Sequence, residues 1–267
     1  MNIPLTDDLR QEYQHLFDTC LISPAHAKEV EKTTDQIAGN QTRYASVGKP
    51  LKIPWFFIGV IHSLEGSLNF KTHLHNGDPL TARTVHVPAG RPKAGKPPFT
   101  WEASATDALT LEGFANLTDW ALTTMLYRFE KFNGFGYRPH KINTPYLWSF
   151  SNHYTQGKFA ADGKFSPVLV SKQIGAAVLI RRMAERGIIH FDSDNKPVKK
   201  AADVEALDAL VVFAPDTESA DAAHLQQALN HFPGVSLAVD GFAGTRTSDA
   251  LKRVTGHFLK GDPRETA

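Results

Sequence analysis

The stretch Pro54-Trp55-Phe56-Phe57-Ile58-Gly59-Val60-Ile61-His62-Ser63-Leu64-Glu65-Gly66 decides how this chain is read. Trp55, Ile58, His62 and Glu65 recur at helical spacing on one stripe, and most of the remaining positions are apolar, as in a largely buried helix. Its β-branched part would suit a strand, but Pro54 and the length of the run favour a helix. Gly66 can end it. Glu65 is thereby expected at the end of an apolar helix, beside aromatic residues. Desolvation there favours the protonated carboxyl and can produce a general acid near neutral pH.

Outward from this run, residues 6–38 read as helix broken near Ser23-Pro24. Thr6 or Asp7 can cap it, and Leu9, Tyr13, Leu16 and Cys20 share one face. Lys49-Pro50 and Pro54 bracket a short extended piece. Residues 69–101 are rich in turn formers (Asn76-Gly77-Asp78-Pro79, Pro88-Ala89-Gly90, Lys96-Pro97-Pro98), with a short strand expected over Thr81–Val87. Helices resume near Ser104–Leu109 and Thr118–Phe132, the latter stopped at Gly134. A last long helix is expected over 168–187, with Ile174, Val178 and Met183 inward and Gly187 as its cap. The polar run from Asp192 to Lys200 reads as the start of a linker, and residues 203–214 as a short helix or strand between modules. The resulting expectation is a mainly α protein with a small β-ribbon or loop region, in three parts: a domain over 1–190, a linker over 191–218 and a small helical domain over 219–262.

Composition narrows the function classes. The 267 residues carry 29 Lys+Arg against 28 Asp+Glu, which argues against a basic nucleic-acid arm. Cys20 is the only cysteine and falls on an apolar stripe, so it reads as core; no intrachain disulfide or four-cysteine zinc site can form. The N-terminal residues lack a basic and apolar secretory pattern, and the longest apolar run, Ile53 to Ile61, is about half of what a bilayer needs. The expectation is a monomer made in the cytoplasm, with no membrane insertion, no nucleic-acid partner and no cofactor. No nucleophile-elbow, phosphate-loop or dinucleotide motif is present.

Downstream of Glu65, Asp78 sits in a turn where hydrogen bonds would keep it ionised. Two carboxylates in contrasting environments are what glycoside cleavage requires, one to protonate the leaving oxygen and one to activate water or stabilise the cationic sugar. Asp78 reads equally as a turn residue before Pro79. Glu102 and Asp107, near a helix start, are weaker candidates for the second carboxylate. His62, His75, Trp148, Asn152 and Tyr154 are the candidate sugar-contacting side chains. His73-x-His75-x-x-Asp78 with His62 also supplies enough donors for zinc. A zinc-dependent peptidase or amidase is therefore a competing reading, although Asn76-Gly77 breaks the strand that would align the two histidines, so no metal is assigned.

The C-terminal residues Leu225-Gln226-x-x-Leu229-Asn230 and Val239-Asp240-Gly241-x-x-Gly244-x-x-Thr247-x-x-Ala250 closely resemble the family of three-helix peptidoglycan-binding domains. The resemblance implies binding to cell-wall glycan or stem peptide. The glutamate ending an apolar helix, followed by a loop region, resembles the lysozyme superfamily, particularly goose-type lysozymes and lytic transglycosylases. The string Asn69-Phe70-x-Thr72-His73-Leu74-His75-Asn76-Gly77-Asp78-Pro79-Leu80, with Arg83-Thr84 and Val87-Pro88, is similar to a family of bacterial and phage muramidases. These resemblances imply a lysozyme-like domain that cleaves the β-1,4 MurNAc–GlcNAc bond with Glu65 and Asp78. Gly66 stands where that superfamily usually has serine, which leaves hydrolysis and transglycosylation both open. Such an enzyme would reach the wall through holin-dependent release or a secretion system. A non-catalytic wall-binding protein, with Glu65 structural, is the remaining alternative.

Overall fold

The computed structural model describes residues 3–161, 163–191, 201–232 and 234–265. The apolar run becomes helix α4, Trp55–Gly66, in which Phe56 through His62 and Leu64 are all buried. A helix buried on every side needs neighbours on every side. Ahead of it lie α1 (Asp7–Asp18), a 3-10 turn at Pro24–His26, α2 (Ala27–Gly39) and α3 (Gln41–Leu51). Thr6 caps α1 by accepting the Leu9 N–H at 3.3 Å. Leu9, Tyr13 and Cys20 point inward as expected, joined by Phe17. Helix α3 was not expected from the sequence. Pro50 falls within its last turn, and Lys52, at φ 58°, redirects the chain into α4.

Helices α2 and α3 press directly on α4. A Cβ at Gly59 would meet Ile37 Cγ2 at 2.5 Å and Tyr44 Cε2 at 3.1 Å. In an ordinary helix interior, Gly→Ala gains about 1 kcal/mol. Here Gly59→Ala is expected to reverse that sign and cost about 1–3 kcal/mol through overpacking. Urea unfolding reads the difference directly; an unchanged or higher midpoint would mean that Ile37 yields without cost.

Beyond α4, no strand forms over Thr81–Val87. Thr84 instead folds the loop onto itself: its N–H donates to Arg91 O at 2.8 Å and its carbonyl accepts from Gly90 N–H at 2.7 Å. These closures are local and leave no ladder. The two-stranded antiparallel sheet lies elsewhere, pairing β1 (Lys158–Ala161) with β2 (Lys164–Ser166). Between these regions come α5 (Trp101–Leu111), α6 (Leu122–Asn133) and the four-residue α7 (Pro145–Trp148). Helix α8 covers only Ala176–Glu185, shorter than expected, because residues 168–175 run irregularly beside the hairpin. Ile174, Val178 and Met183 are buried, and Gly187 follows the helix at φ 68°.

The protein is mainly helical, with this one small sheet among the described residues. One hydrophobic core runs from Leu9 to Ile189. A second, from Val204 to Leu259, is built on α9 (Ala201–Asp208), α10 (Ala220–Leu229) and α11 (Thr245–Thr255). Val204 and Val211, within the stretch expected to be a linker, belong to that second core. The polar run at 192–200 lies outside the described residues. Two arginines cross between the cores. Buried Arg181 donates to Leu237 O at 2.6 Å, and Arg246 returns a bond to Ala184 O at 3.0 Å. Among the described residues, no helix is long and apolar enough to cross a membrane.

Candidate functional site

Helix α4 ends at Gly66, and Ser67 (φ 47°) and Leu68 (φ 57°) both take left-handed backbone to turn the chain away. This leaves Glu65 in the final turn of a helix whose body is core. Glu65 Oε1 accepts a hydrogen bond from the Tyr146 hydroxyl of α7 at 2.8 Å. Beside it, the Gln173 amide donates to Leu64 O at 2.6 Å. The residue is exposed overall, but protein packed around its carboxyl raises the pKa by desolvation. The Tyr146 bond opposes that rise, and the negative charge of Glu112 adds to it. Tyr146 is buried, with its ring stacked near Phe132 at a centroid distance of 6.5 Å. Glu65 is therefore an open carboxyl on a rigid mount, biased toward holding its proton.

Asp78 is placed differently. Its Oδ2 accepts the Val85 and His86 N–H groups at 2.8 and 3.0 Å, and the His86 ring Nδ1 lies 2.5 Å from Oδ1. Bonds from the His86 ring and backbone, then from Val85, hold its pKa at about 2. Asn76 forms the turn by accepting the Asp78 N–H at 3.0 Å. Asp78 is thus ionised, as expected, but both oxygens are spent ordering the loop. The weaker candidates are also committed: Glu102 pairs with Arg43 at 2.7 Å, and Asp107 pairs with His75 at 2.8 Å and Arg91 at 2.7 Å.

Asp78→Asn is expected to loosen the loop over 78–91 while leaving the helical core folded, visible as new protease cleavage within that segment. A lowered carboxylate pKa contributes stability that is present above the unfolded value and lost as pH falls through the folded one. Wild-type loop protection should therefore persist through mild acid and fail only toward pH 2. Protection lost in step with ordinary carboxylates near pH 4 would show that the Asp78 bonds contribute little.

The candidate sugar-contacting residues are mostly committed to the fold, which corrects that part of the sequence reading. His62 is buried among Tyr44, Phe70 and Trp101, with Nδ1 3.1 Å from the Tyr44 hydroxyl. Desolvation lowers its pKa to about 4, so it is a neutral core ring with no face left for a sugar. His75 is held against α5 by Asp107 and by Ser104, 3.5 Å from Nδ1. Asn152 donates to Thr19 O at 3.0 Å and accepts from Leu21 N–H at 2.9 Å, fastening the segment after α1. Buried Tyr154 donates to Gly157 O and accepts from Ser171 N–H, both at 3.1 Å, which props the hairpin. Trp148 is buried but lines a cavity of about 260 Å³.

The histidines proposed for zinc are likewise engaged. His73 Nε2 donates to Ala82 O at 2.8 Å, and Nδ1 lies 2.7 Å from Ser104 Oγ. Among the described residues, no three His, Cys, Asp or Glu side chains gather as a ligand set. Sequence reasoning missed Tyr146 as the partner of Glu65. Its only sequence signal is membership of an aromatic-rich stretch, which does not say which ring reaches α4.

The motif of the second core has a structural explanation. Gln226 Oε1 accepts the Asp240 and Gly241 N–H groups at 3.0 and 2.9 Å, while its Nε2 donates to Asp240 Oδ1 at 2.7 Å. Asn230 exchanges two bonds with the Leu237 backbone, at 2.6 and 2.9 Å. Gly241, at φ 76°, lies where a Cβ would come within 2.9 Å of Ser219 O.

The chain matches no protein-family profile, no curated protein and no solved structure at a significant level.

Proposed function

We propose that this protein cleaves the β-1,4 MurNAc–GlcNAc backbone of peptidoglycan, with Glu65 as the general acid. The observation that carries this reading is the setting of Glu65: a carboxyl at the end of a buried helix, open to solvent, with its pKa raised by burial and its orientation set by Tyr146. A carboxyl tuned upward keeps its proton to higher pH than an ordinary glutamate and can deliver it to a glycosidic oxygen. The resemblance of the helix-ending Glu65 to the lysozyme superfamily, and of the string from Asn69 to Leu80 to muramidases, supplies the substrate class.

In this mechanism Asp78 orders the loop after α4, since its oxygens are committed to Val85 and His86. Glu65 then acts without Asp78 as water-activating base. The donated proton moves from Glu65 to the leaving sugar oxygen as the glycosidic bond breaks. The carboxylate left behind can take a proton back, either from water or from a sugar hydroxyl that attacks internally. The two routes give reducing and anhydro ends respectively. The second core, which resembles a peptidoglycan-binding domain, would keep the enzyme on its insoluble polymer, reached after release or secretion from the cytoplasm. The zinc reading has less support, because the His73 and His75 nitrogens are engaged with Ser104, Ala82 and Asp107.

Mass spectrometry of soluble products from purified peptidoglycan tests the proposal. Glycan fragments with MurNAc-derived ends from wild type, absent with Glu65→Gln, are the expected outcome. Free stem peptides with intact glycan would sink it. A pH profile adds a finer check. The Tyr146 bond lowers the Glu65 pKa, so Tyr146→Phe should move the alkaline limb of the rate profile to higher pH. A limb that stays put would separate the rate from the Glu65 proton.

A further inference from the structure

The cavity of about 260 Å³ that Trp148 lines is polar, and its other lining residues include Glu12, Glu130, Arg138, Lys141 and Asn143. At its wall, Glu130 is buried, only 2% exposed. Its Oε2 accepts from the Tyr13 hydroxyl at 2.6 Å and from Arg138 Nη2 at 2.7 Å. Oε1 makes no hydrogen bond to protein among the described residues, and Glu130 lines the cavity. Arg138 Nη1 reaches Glu12 at 3.1 Å, and Arg138 Nε is buried with no acceptor. On the opposite charge, Lys141 is set at the rim by left-handed backbone (φ 55°) and makes no ion pair among the described residues. Asn143 spends its amide N–H on His153 O at 3.1 Å, and no donor is seen for its carbonyl oxygen among the described residues.

The cavity therefore offers an acceptor in Glu130, held by Tyr13 and Arg138, and an exposed cation in Lys141. Its four charged groups, Glu12, Glu130, Arg138 and Lys141, sum to zero, so a purely cationic or purely anionic guest would leave one side unmet. We infer that this cavity binds a zwitterionic amino-acid group, with its ammonium on Glu130 and its carboxylate toward Lys141. The volume, just below the range usual for drug-sized ligands, suits a group of that size. Two sources carry such a group: a free amino acid, or the side-chain end of a diamino acid in a wall stem peptide. The second source rests on the glycosidase reading. It is attractive because α7 serves both places, sending Tyr146 to Glu65 and Trp148 to this cavity.

Isothermal titration of the full chain decides the matter, with D-alanine and L-lysine as zwitterions, cadaverine as cation alone and propionate as anion alone. The zwitterions are expected to bind at about 1 mM or tighter, with cadaverine and propionate at least tenfold weaker. Lys141→Glu, at the rim, should weaken zwitterion binding tenfold or more without moving the thermal midpoint, and Glu130→Gln should weaken it further. No heat from either zwitterion, equal binding of cadaverine, or Lys141→Glu binding like wild type would each overturn the inference. A muropeptide bearing meso-diaminopimelate that binds more tightly than the free amino acids would assign the site to wall peptide. Equal or weaker binding would assign it to free amino acids. Glu65→Gln should bind all of these ligands unchanged, so failure here is distinct from failure of the proposed cleavage.

Discussion

Glu65→Gln is expected to abolish glycan release while leaving the protein as stable as wild type at pH 7, or more so. The activity loss should be at least about 10²-fold, the usual size of a general-acid contribution. The stability effect follows from the raised pKa. A folded state that binds the Glu65 proton more tightly than the unfolded chain has its full stability below the unfolded carboxylate value, and loses some as pH climbs through the folded one. Glutamine does not ionise, so the variant escapes that loss. Thermal unfolding across pH 4 to 8, run beside product analysis, separates the two effects. A variant that loses both activity and thermal midpoint at pH 7 would make Glu65 a structural carboxylate and remove the proposed acid.

Arg181→Ala should be the most destabilising single change. The guanidinium is buried and each of its three nitrogens donates: Nε to Glu185 at 2.9 Å, Nη1 to Phe17 O at 3.1 Å and Nη2 to Leu237 O at 2.6 Å. Its removal leaves Glu185 buried, with only partly exposed Arg182 at 3.3 Å to offset the charge. Breaking one side of a buried pair costs about 3–5 kcal/mol, a large share of the roughly 5–15 kcal/mol that keeps a domain folded. Replacing both partners, as in Arg181→Met with Glu185→Leu, should recover part of the loss, because no charge is then stranded. Urea unfolding of the single and double variants gives the comparison. A single variant within about 1 kcal/mol of wild type would show that water reaches Glu185 and the pair is not truly buried.

The helices could be read from the sequence wherever one signal dominated. Thr6 and Leu9 marked α1, and unbroken apolarity marked α4, including the position of Glu65 at its end. Helix α3 was hidden because Pro50 reads as a breaker, whereas in the last turn its missing N–H and its ring do little harm. The expected strand at Thr81–Val87 failed because alternation says nothing about a partner, and Thr84 found its hydrogen bonds within its own loop. The ribbon appeared instead at 158–166, where Gly163 provides a left-handed turn. Of the candidate residues, Glu65 could be placed at its helix end and Asp78 in its turn, but not the partners that hold them. Asp78's partners, Val85 and His86, lie in a loop whose path no periodicity reports. His62 and Trp148 looked like sugar-contacting groups because aromatic residues serve clefts and cores alike, and only burial tells the two apart.

The paired arginines between the cores have a consequence for how the enzyme would read its polymer. Arg181 reaches a carbonyl of the second unit and Arg246 reaches a carbonyl of the first, at 2.6 and 3.0 Å. A binding unit on a slack tether raises local concentration but samples every spacing. One clamped at two points holds a single distance between where the polymer is gripped and where it is cut. On the proposed reading the molecule is therefore a ruler. Its fragments should cluster at one preferred length on long glycan strands, and that preference should blur when either arginine is removed.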